Sequence, residues 1–222
     1  MNQQTIELIL DSLWPLLKAT LTGTIPLTVI SFVLGLVVAL VVALMRLSPV
    51  RAVSGAARTY ISIIRGTPLL LQLFIIYYGL PAAGVRFDPF PAAVLAFTLN
   101  VGGYAAEVIR SSILAVPKGQ WEAASTVGMN YATTLQRVVL PQATRTAIPP
   151  LSNTLISLVK DTSLASTIQV TELLRVAQEA AAPTYQFFAL YGVAAVYYWV
   201  ICLALSFGQS RLEERQNRYV AR

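Results

Sequence analysis

The run ATLTGTIPLTVISFVLGLVVALVVALM, Ala19 to Met45, contains no charged residue. As a helix it extends about 40 Å, more than the roughly 30 Å needed to cross a bilayer's hydrocarbon core. A soluble domain has no use for such a segment, and the composition around it agrees. Hydrophobic residues make up 56% of the 222 positions and charged residues 12%, against about 25% charged in soluble domains. So little charge cannot clothe a surface facing water, and the chain reads as an integral, multi-pass membrane protein.

Working outward, four further stretches can span. They are about Thr59 to Leu80, about Pro91 to Ile113, about Ala147 to Ile168, and Phe187 to Phe207. The third span is interrupted by Gly102-Gly103 and carries Glu107 and Arg110. The fourth carries Pro149, Pro150, Asn153, Lys160 and Asp161, and reads either as a span or as a soluble-type connector. Interrupted polar helices are poor against lipid, so both face protein or water. The expected architecture is all-α with five transmembrane helices. An amphipathic segment at 1–18 precedes a transmembrane domain at 19–210 and a basic tail at 211–222. In the first of these, Ile6, Ile9, Leu10, Leu13 and Leu17 form an apolar face expected to pack on another helix. Glu7 and Asp11 argue against a signal peptide, whose start is basic.

Net charge is +6, but its placement points to orientation rather than to a nucleic acid. Twelve of the 16 basic residues fall in the segments after spans one and three and in the tail: Arg46, Arg51, Arg58, Arg65, Arg110, Lys118, Arg137, Arg145, Arg211, Arg215, Arg218 and Arg222. The opposite side holds Lys18, Arg86 and Arg175. Cytoplasmic loops carry the Lys/Arg excess, which puts the N-terminus outside and the C-terminus inside. There is no histidine, and Cys202 is the single cysteine. An intramembrane enzyme would need a nucleophile with a base or a metal set, and these counts disfavour it. No metal-ligand set is expected.

The largest cytoplasmic segment, about 114–146, contains Trp121-Glu122-Ala123-Ala124-Ser125-Thr126-Val127-Gly128 and, twelve residues later, Leu140-Pro141. On chemistry alone it is a helix, a glycine break and a second helix ending at a proline, lying on the inner membrane surface. Ala123 and Ala124 let another surface approach, and Gly128 permits a sharp turn. A connector without a partner fits equally well on those grounds. The residue types and spacing, however, resemble the EAA loop of bacterial ABC importer permeases. In that family the loop is the coupling helix that docks on the nucleotide-binding subunit. Glu122, Ala123, Ala124, Gly128, Leu140 and Pro141 match its pattern.

Further stretches look like the polar amino-acid branch of the same family. They are Arg65-Gly66-Thr67-Pro68 with Gln72, Tyr104-Ala105-Ala106-Glu107 with Arg110, Lys118-Gly119-Gln120, and Lys160-Asp161-Thr162-Ser163-Leu164. Pro150-Leu151-Ser152-Asn153 through Ile168-Gln169-Val170 also resembles the cystine permeases. The resemblance covers about residues 60–210. It implies a type I ABC importer permease in a bacterial inner membrane, a partner ATPase dimer holding ATP and magnesium, and an extracytoplasmic solute-binding protein. No Gly-x-x-x-x-Gly-Lys-Ser/Thr phosphate loop occurs, so this chain is expected to bind no nucleotide cofactor and catalyse no hydrolysis. Five spans are too few to enclose a path, so a second copy or a homologue is expected. A channel or ion-coupled carrier working without ATP is the alternative.

Two polar stripes are candidates for the substrate path. Asn100, Tyr104 and Glu107 recur at i, i+4 and i+7 on span three. Asn153, Ser157 and Lys160 or Asp161 repeat the pattern on span four. Ionisable groups inside a membrane cost about 2.5–3.5 kcal/mol each, so they imply function or pairing. By depth, Asn100 lies roughly 14 Å below the outer end of its span and Glu107 about 24 Å. Ser157 and Asp161 lie roughly 15 and 21 Å above the inner end of theirs. Asn100, Tyr104, Ser157 and Asp161 thus meet near mid-membrane. Glu107 falls too near the cytoplasm to join them, and is expected to gate or pack, pairing with Arg110. Gly102-Gly103 and Pro149-Pro150 read equally as close-packing points or as broken helices at a binding region.

Overall fold

In the first helix, prolines at 15 and 26 remove two backbone donors, yet the rod does not stop at either. The computed structural model describes residues 3–217; Arg218 and Arg222 of the basic tail lie outside the described residues. Helix α1 runs from Gln3 to Leu47, 45 residues, about 67 Å at 1.5 Å per residue. Pro15 lies within regular α-helix, and Pro26 follows a wider π turn at Thr20–Thr24, where the Ile25 amide reaches back to the Thr20 carbonyl. The amphipathic segment and the first span are therefore one continuous helix.

The face of that segment differs from expectation. Ile6, Leu10 and Leu13 are 43%, 61% and 37% exposed, whereas Ser12 and Leu16 are buried. Ser12 Oγ donates to the Leu8 carbonyl at 2.7 Å. Packing decides which side turns inward: Leu16 sits in one buried cluster with Leu173, Ala177 and Ala194.

Span two is broken. Helix α2, Arg51–Gly66, meets α3, Leu69–Ala83, at a bend of 107°. The cause is local: Thr67 precedes Pro68 and is extended (φ −123°, ψ 147°), as residues before proline prefer. Helix α4, Pro89–Leu114, is the centre of the core. Its Ala92, Ala93, Ala96, Phe97, Val101, Ala105 and Ala106 are buried. A methyl group on Gly102 would stand 2.6 Å from Val38, and one on Gly103 2.5 Å from Ile64. These glycines therefore serve close packing against α1 and α2, and the α4 helix is unbroken through them. Lipid offers helices little hydrophobic drive to associate, so small residues that admit tight contact do that work.

Helix α5, Lys118–Thr126, leads through a short turn, Tyr131–Thr134, and a π turn, Leu135–Val139, into α6, Leu140–Asp161. The expected boundary at Pro141 is absent. Pro141 sits in the first turn of α6, and the π turn pairs the Leu140 amide with the Leu135 carbonyl, so the helix passes through without a break. A 3-10 stretch, Thr162–Ile168, replaces the C-terminal end of the expected fourth span. Helix α7, Leu173–Ala181, then connects to α8, Phe187–Asn217.

Among the described residues, α1, α4 and α8 are each long and apolar enough to cross a membrane, and the bent α2–α3 pair makes a fourth candidate. Helix α6 is not among them. It carries Arg145, Lys160 and Asp161 and two internal prolines.

The connection after α6 is tied down by polar contacts. A methyl group on Gly23 would lie 2.2 Å from the Thr171 carbonyl, so only glycine allows this approach. Thr24 Oγ1 accepts from the Leu173 amide at 3.1 Å. The Glu172 side chain is fully buried. It caps α7 by accepting from the Arg175 amide at 2.7 Å, and accepts from the Tyr198 hydroxyl at 2.6 Å.

Candidate functional site

The bend in span two, the middle of α4 and the C-terminal half of α6 enclose a cleft of about 450 Å³, within the usual range for small-molecule sites. Thr67, Pro68 and Leu69 at the break form one wall. Asn100, Val101 and Tyr104 on α4 form the second. Pro150, Asn153, Thr154, Ser157, Leu158 and Asp161 on α6 form the third. The helical period accounts for the selection: 100 and 104, then 150, 153, 154, 157, 158 and 161, each trace one stripe.

Asn100, Tyr104, Asn153, Ser157 and Asp161 line this one cleft. Lys160 does not join them. It is exposed on α6 and shares the face of Ile156, four residues earlier, whose carbonyl meets Cys202 Sγ of α8 at 3.9 Å. One residue's rotation about the helix, roughly 100°, separates it from Asp161.

Each wall has its own support. Asn100 Nδ2 donates to Gln72 Oε1 at 3.0 Å. The Tyr104 ring carries the Arg65 guanidinium 5.6 Å above its centroid, a separation at which a cation is attracted to the ring face. Thr154 Oγ1 donates to the Pro150 carbonyl at 3.0 Å. Among the lining side chains Asp161 is the one carboxyl group; the polar remainder are amides and hydroxyls. Such a set can accept from an ammonium and donate to a carboxylate.

Glu107 and Arg110 lie outside the lining and pair with one another. Glu107 accepts from Arg110 Nε at 3.0 Å and from Nη2 through its other oxygen. The fork holds both carboxylate oxygens, which suits two ionised groups with about a quarter of their side chains exposed.

The Glu122–Pro141 segment forms a hairpin beside this core. Gly128 adopts φ +79°, the left-handed conformation that glycine takes without strain. Its amide closes on the Ser125 carbonyl at 3.0 Å, and the Met129 amide on that of Ala124 at 3.1 Å. Asn130 then caps the next turn through the Thr133 amide at 2.9 Å. Across the turn, Trp121 stacks on Tyr131 with centroids 5.6 Å apart. Glu122, Ala123, Gly128 and Pro141 are exposed, Leu140 is half-buried and Ala124 is buried. Ala123 is thus the alanine open to another surface. Ala124 is enclosed by its own chain.

Sequence reasoning took Thr67-Pro68 and Gln72 as family landmarks and not as part of the site, because it drew span two as one helix through Pro68. The rule that a residue before proline turns extended was the available signal.

The chain matches the family model for binding-protein-dependent transport system inner membrane components over residues 31–218. It is 56% identical to the L-cystine transport system permease protein TcyB of Bacillus subtilis (strain 168), over 97% of this chain and 93% of the relative. It is 42% identical to the glutamine transport system permease protein GlnP of Escherichia coli (strain K12), over 72% of this chain and 74% of the relative. Among solved structures, an amino acid ABC transporter crystallised with histidines superposes with a TM-score of 0.91 at 34% identity, covering 97% of this chain and 100% of that one. With fold, motifs and relatives in agreement over nearly its whole length, the chain belongs to the binding-protein-dependent transport system inner membrane components, as a permease of the amino-acid ABC transporter branch.

Proposed function

We propose that this chain is the permease subunit of an ATP-driven importer of L-cystine, and that the cleft between the broken second span, α4 and α6 lies on the substrate's path. The 56% identity to a cystine permease, over almost the full length of both chains, carries this reading. The cleft supports it chemically. Asp161 accepts from a cargo ammonium, while Asn100, Asn153 and Ser157 donate to a carboxylate. Helix α6 completes the five spans, with its polar stripe turned to the cleft instead of to lipid. The basic segments face the cytoplasm, placing the N-terminus outside.

The hairpin from Glu122 to Pro141 presents Glu122, Ala123 and Gly128 to the groove of a separate ATPase. That ATPase binds ATP and magnesium; its closure rocks the helices of two permease copies between outward and inward access. A solute-binding protein delivers the cargo from outside.

The test is uptake of labelled L-cystine into vesicles holding the permease, its ATPase and its binding protein. Uptake should require ATP and the ATPase, and Asp161→Asn should weaken it. Transport that persists without the ATPase would instead support a channel or ion-coupled carrier.

A further inference from the structure

The break in span two creates a problem in hydrogen bonding that one side chain solves. Ending α2 at Gly66 frees the carbonyls of its last turn, and in lipid or a narrow cleft each must find a new donor. Thr67 Oγ1 donates to the Ile63 carbonyl at 2.8 Å. Gln72, on α3 beyond the bend, reaches back across it. Its Nε2 donates to the Ile64 carbonyl at 2.8 Å, to the Thr67 carbonyl at 3.2 Å and to Thr67 Oγ1 at 2.9 Å.

Those contacts also fix which way the amide points. Two backbone carbonyls accept and never donate, so they must face the Gln72 nitrogen, and Oε1 is turned toward α4. There it meets Asn100, whose nitrogen must in turn face Gln72, at 3.0 Å. The Asn100 amide is thereby oriented, leaving Oδ1 and its second amide hydrogen for the cleft. Gln72 itself is absent from the cleft wall. It holds the bend with one end of its amide and a cleft residue with the other.

We propose that Gln72 is a positioning residue for transport: one amide sets both the bend at Thr67–Pro68 and the presentation of Asn100 to cargo. A zwitterion that draws on Asn100 then pulls on the hydrogen bonds that hold the two halves of span two. Occupancy of the cleft is linked to the angle of the break through two hydrogen bonds in series. This link rests on the reading of the cleft as part of the substrate's path.

The experiment is labelled L-cystine uptake by the full complex in vesicles, with wild type, Gln72→Met, Asn100→Leu, their double variant, and Asp161→Asn. Loss of one oriented amide contact is expected to raise KM about fivefold in Gln72→Met. Added to Asn100→Leu, the same substitution should raise KM by a smaller factor, because the side chain it orients is gone and only its hold on the bend is left to lose. A purely structural loss would lower the amount of active complex and act alike in both backgrounds. If Gln72→Met does not assemble, Gln72→Glu replaces it. This variant keeps an oxygen for Asn100 and removes both amide hydrogens, so its rise in KM reports the hold on the bend and is expected with and without Asn100. Should Asn100→Leu and Asp161→Asn raise KM while the Gln72 variants match wild type, the link is overturned and the cleft reading stands. Should all four variants keep the wild-type KM, the cleft reading falls and the link falls with it.

Discussion

Replacing Gly23 with alanine tests the packing of the α6–α7 connection against α1. The added methyl carbon would sit 2.2 Å from the Thr171 carbonyl oxygen and 3.0 Å from the Glu172 Cα. Both are backbone atoms, which cannot rotate away as a side-chain tip can. The Thr171–Leu173 segment must therefore move outward by about 1 Å, and overpacking of this kind costs about 1–3 kcal/mol. The same movement lengthens the 3.1 Å bond from the Leu173 amide to Thr24 Oγ1, worth about 1 kcal/mol. Against these stands the helical advantage of alanine over glycine, about 1 kcal/mol. The net is a loss of about 1–3 kcal/mol, which at roughly 2–4 °C per kcal/mol lowers the apparent Tm by about 3–10 °C. The matched control is Gly55→Ala, where nothing lies within 4 Å of the new methyl group and the helical gain acts alone. Thermal unfolding in detergent, followed by tryptophan fluorescence, measures both. A Gly23→Ala protein as stable as wild type, or a Gly55→Ala protein equally weakened, refutes the argument.

Other predictions follow from the same contacts. Burial pushes the Glu172 carboxyl above its ordinary value, against the pull of the Tyr198 hydroxyl and the Leu174 and Arg175 amides. A raised folded-state value means that the stabilisation is complete below the ordinary carboxylate range and is lost as pH rises through the raised value. Glu172→Gln, which cannot ionise, should remove this downward slope from Tm measured between pH 4 and pH 8. Gly128→Ala forces a methyl group into the left-handed region, costing about 1–2 kcal/mol. It should loosen the Trp121–Tyr131 stack and lower ATP-driven uptake with little change in overall Tm. Glu107→Gln leaves a partly exposed Arg110 that water can solvate, so its cost should stay below about 1 kcal/mol in the same melts.

Periodicity and depth along single helices were legible from residues alone. Asn100 and Tyr104 share one helical face, as do Asn153 and Ser157, and the rise per residue put Asn100, Tyr104, Ser157 and Asp161 near one level. The family of the chain was equally legible, because the pattern from Glu122 through Gly128 to Leu140-Pro141 is local. The orientation of side chains about a helix axis was less so. Lys160 and Asp161 are adjacent in sequence, and only α4 and α8 packed around α6 separate the cleft-facing residue from its neighbour. Proline was the other difficulty. Pro68 breaks a helix, whereas Pro15 is carried inside one and Pro26 and Pro141 each follow a π turn that leads the helix on.

By itself, the sequence determined that the chain lives in a membrane, that its longest apolar runs can cross it, and which family of transport proteins it resembles. These follow from transfer energies and short motifs that do not depend on distant contacts. Tertiary structure decided that span two is bent, that Ser12 and Leu16 are the residues that turn inward before Ala19 in the first helix, and that Gln72 spans the break to reach Asn100. Each of these depends on an arrangement in space: a carbonyl freed at a bend, a buried cluster that joins Leu16 to Leu173 and Ala194, and an amide 28 residues away. No local pattern specifies which of several satisfactory partners the fold supplies.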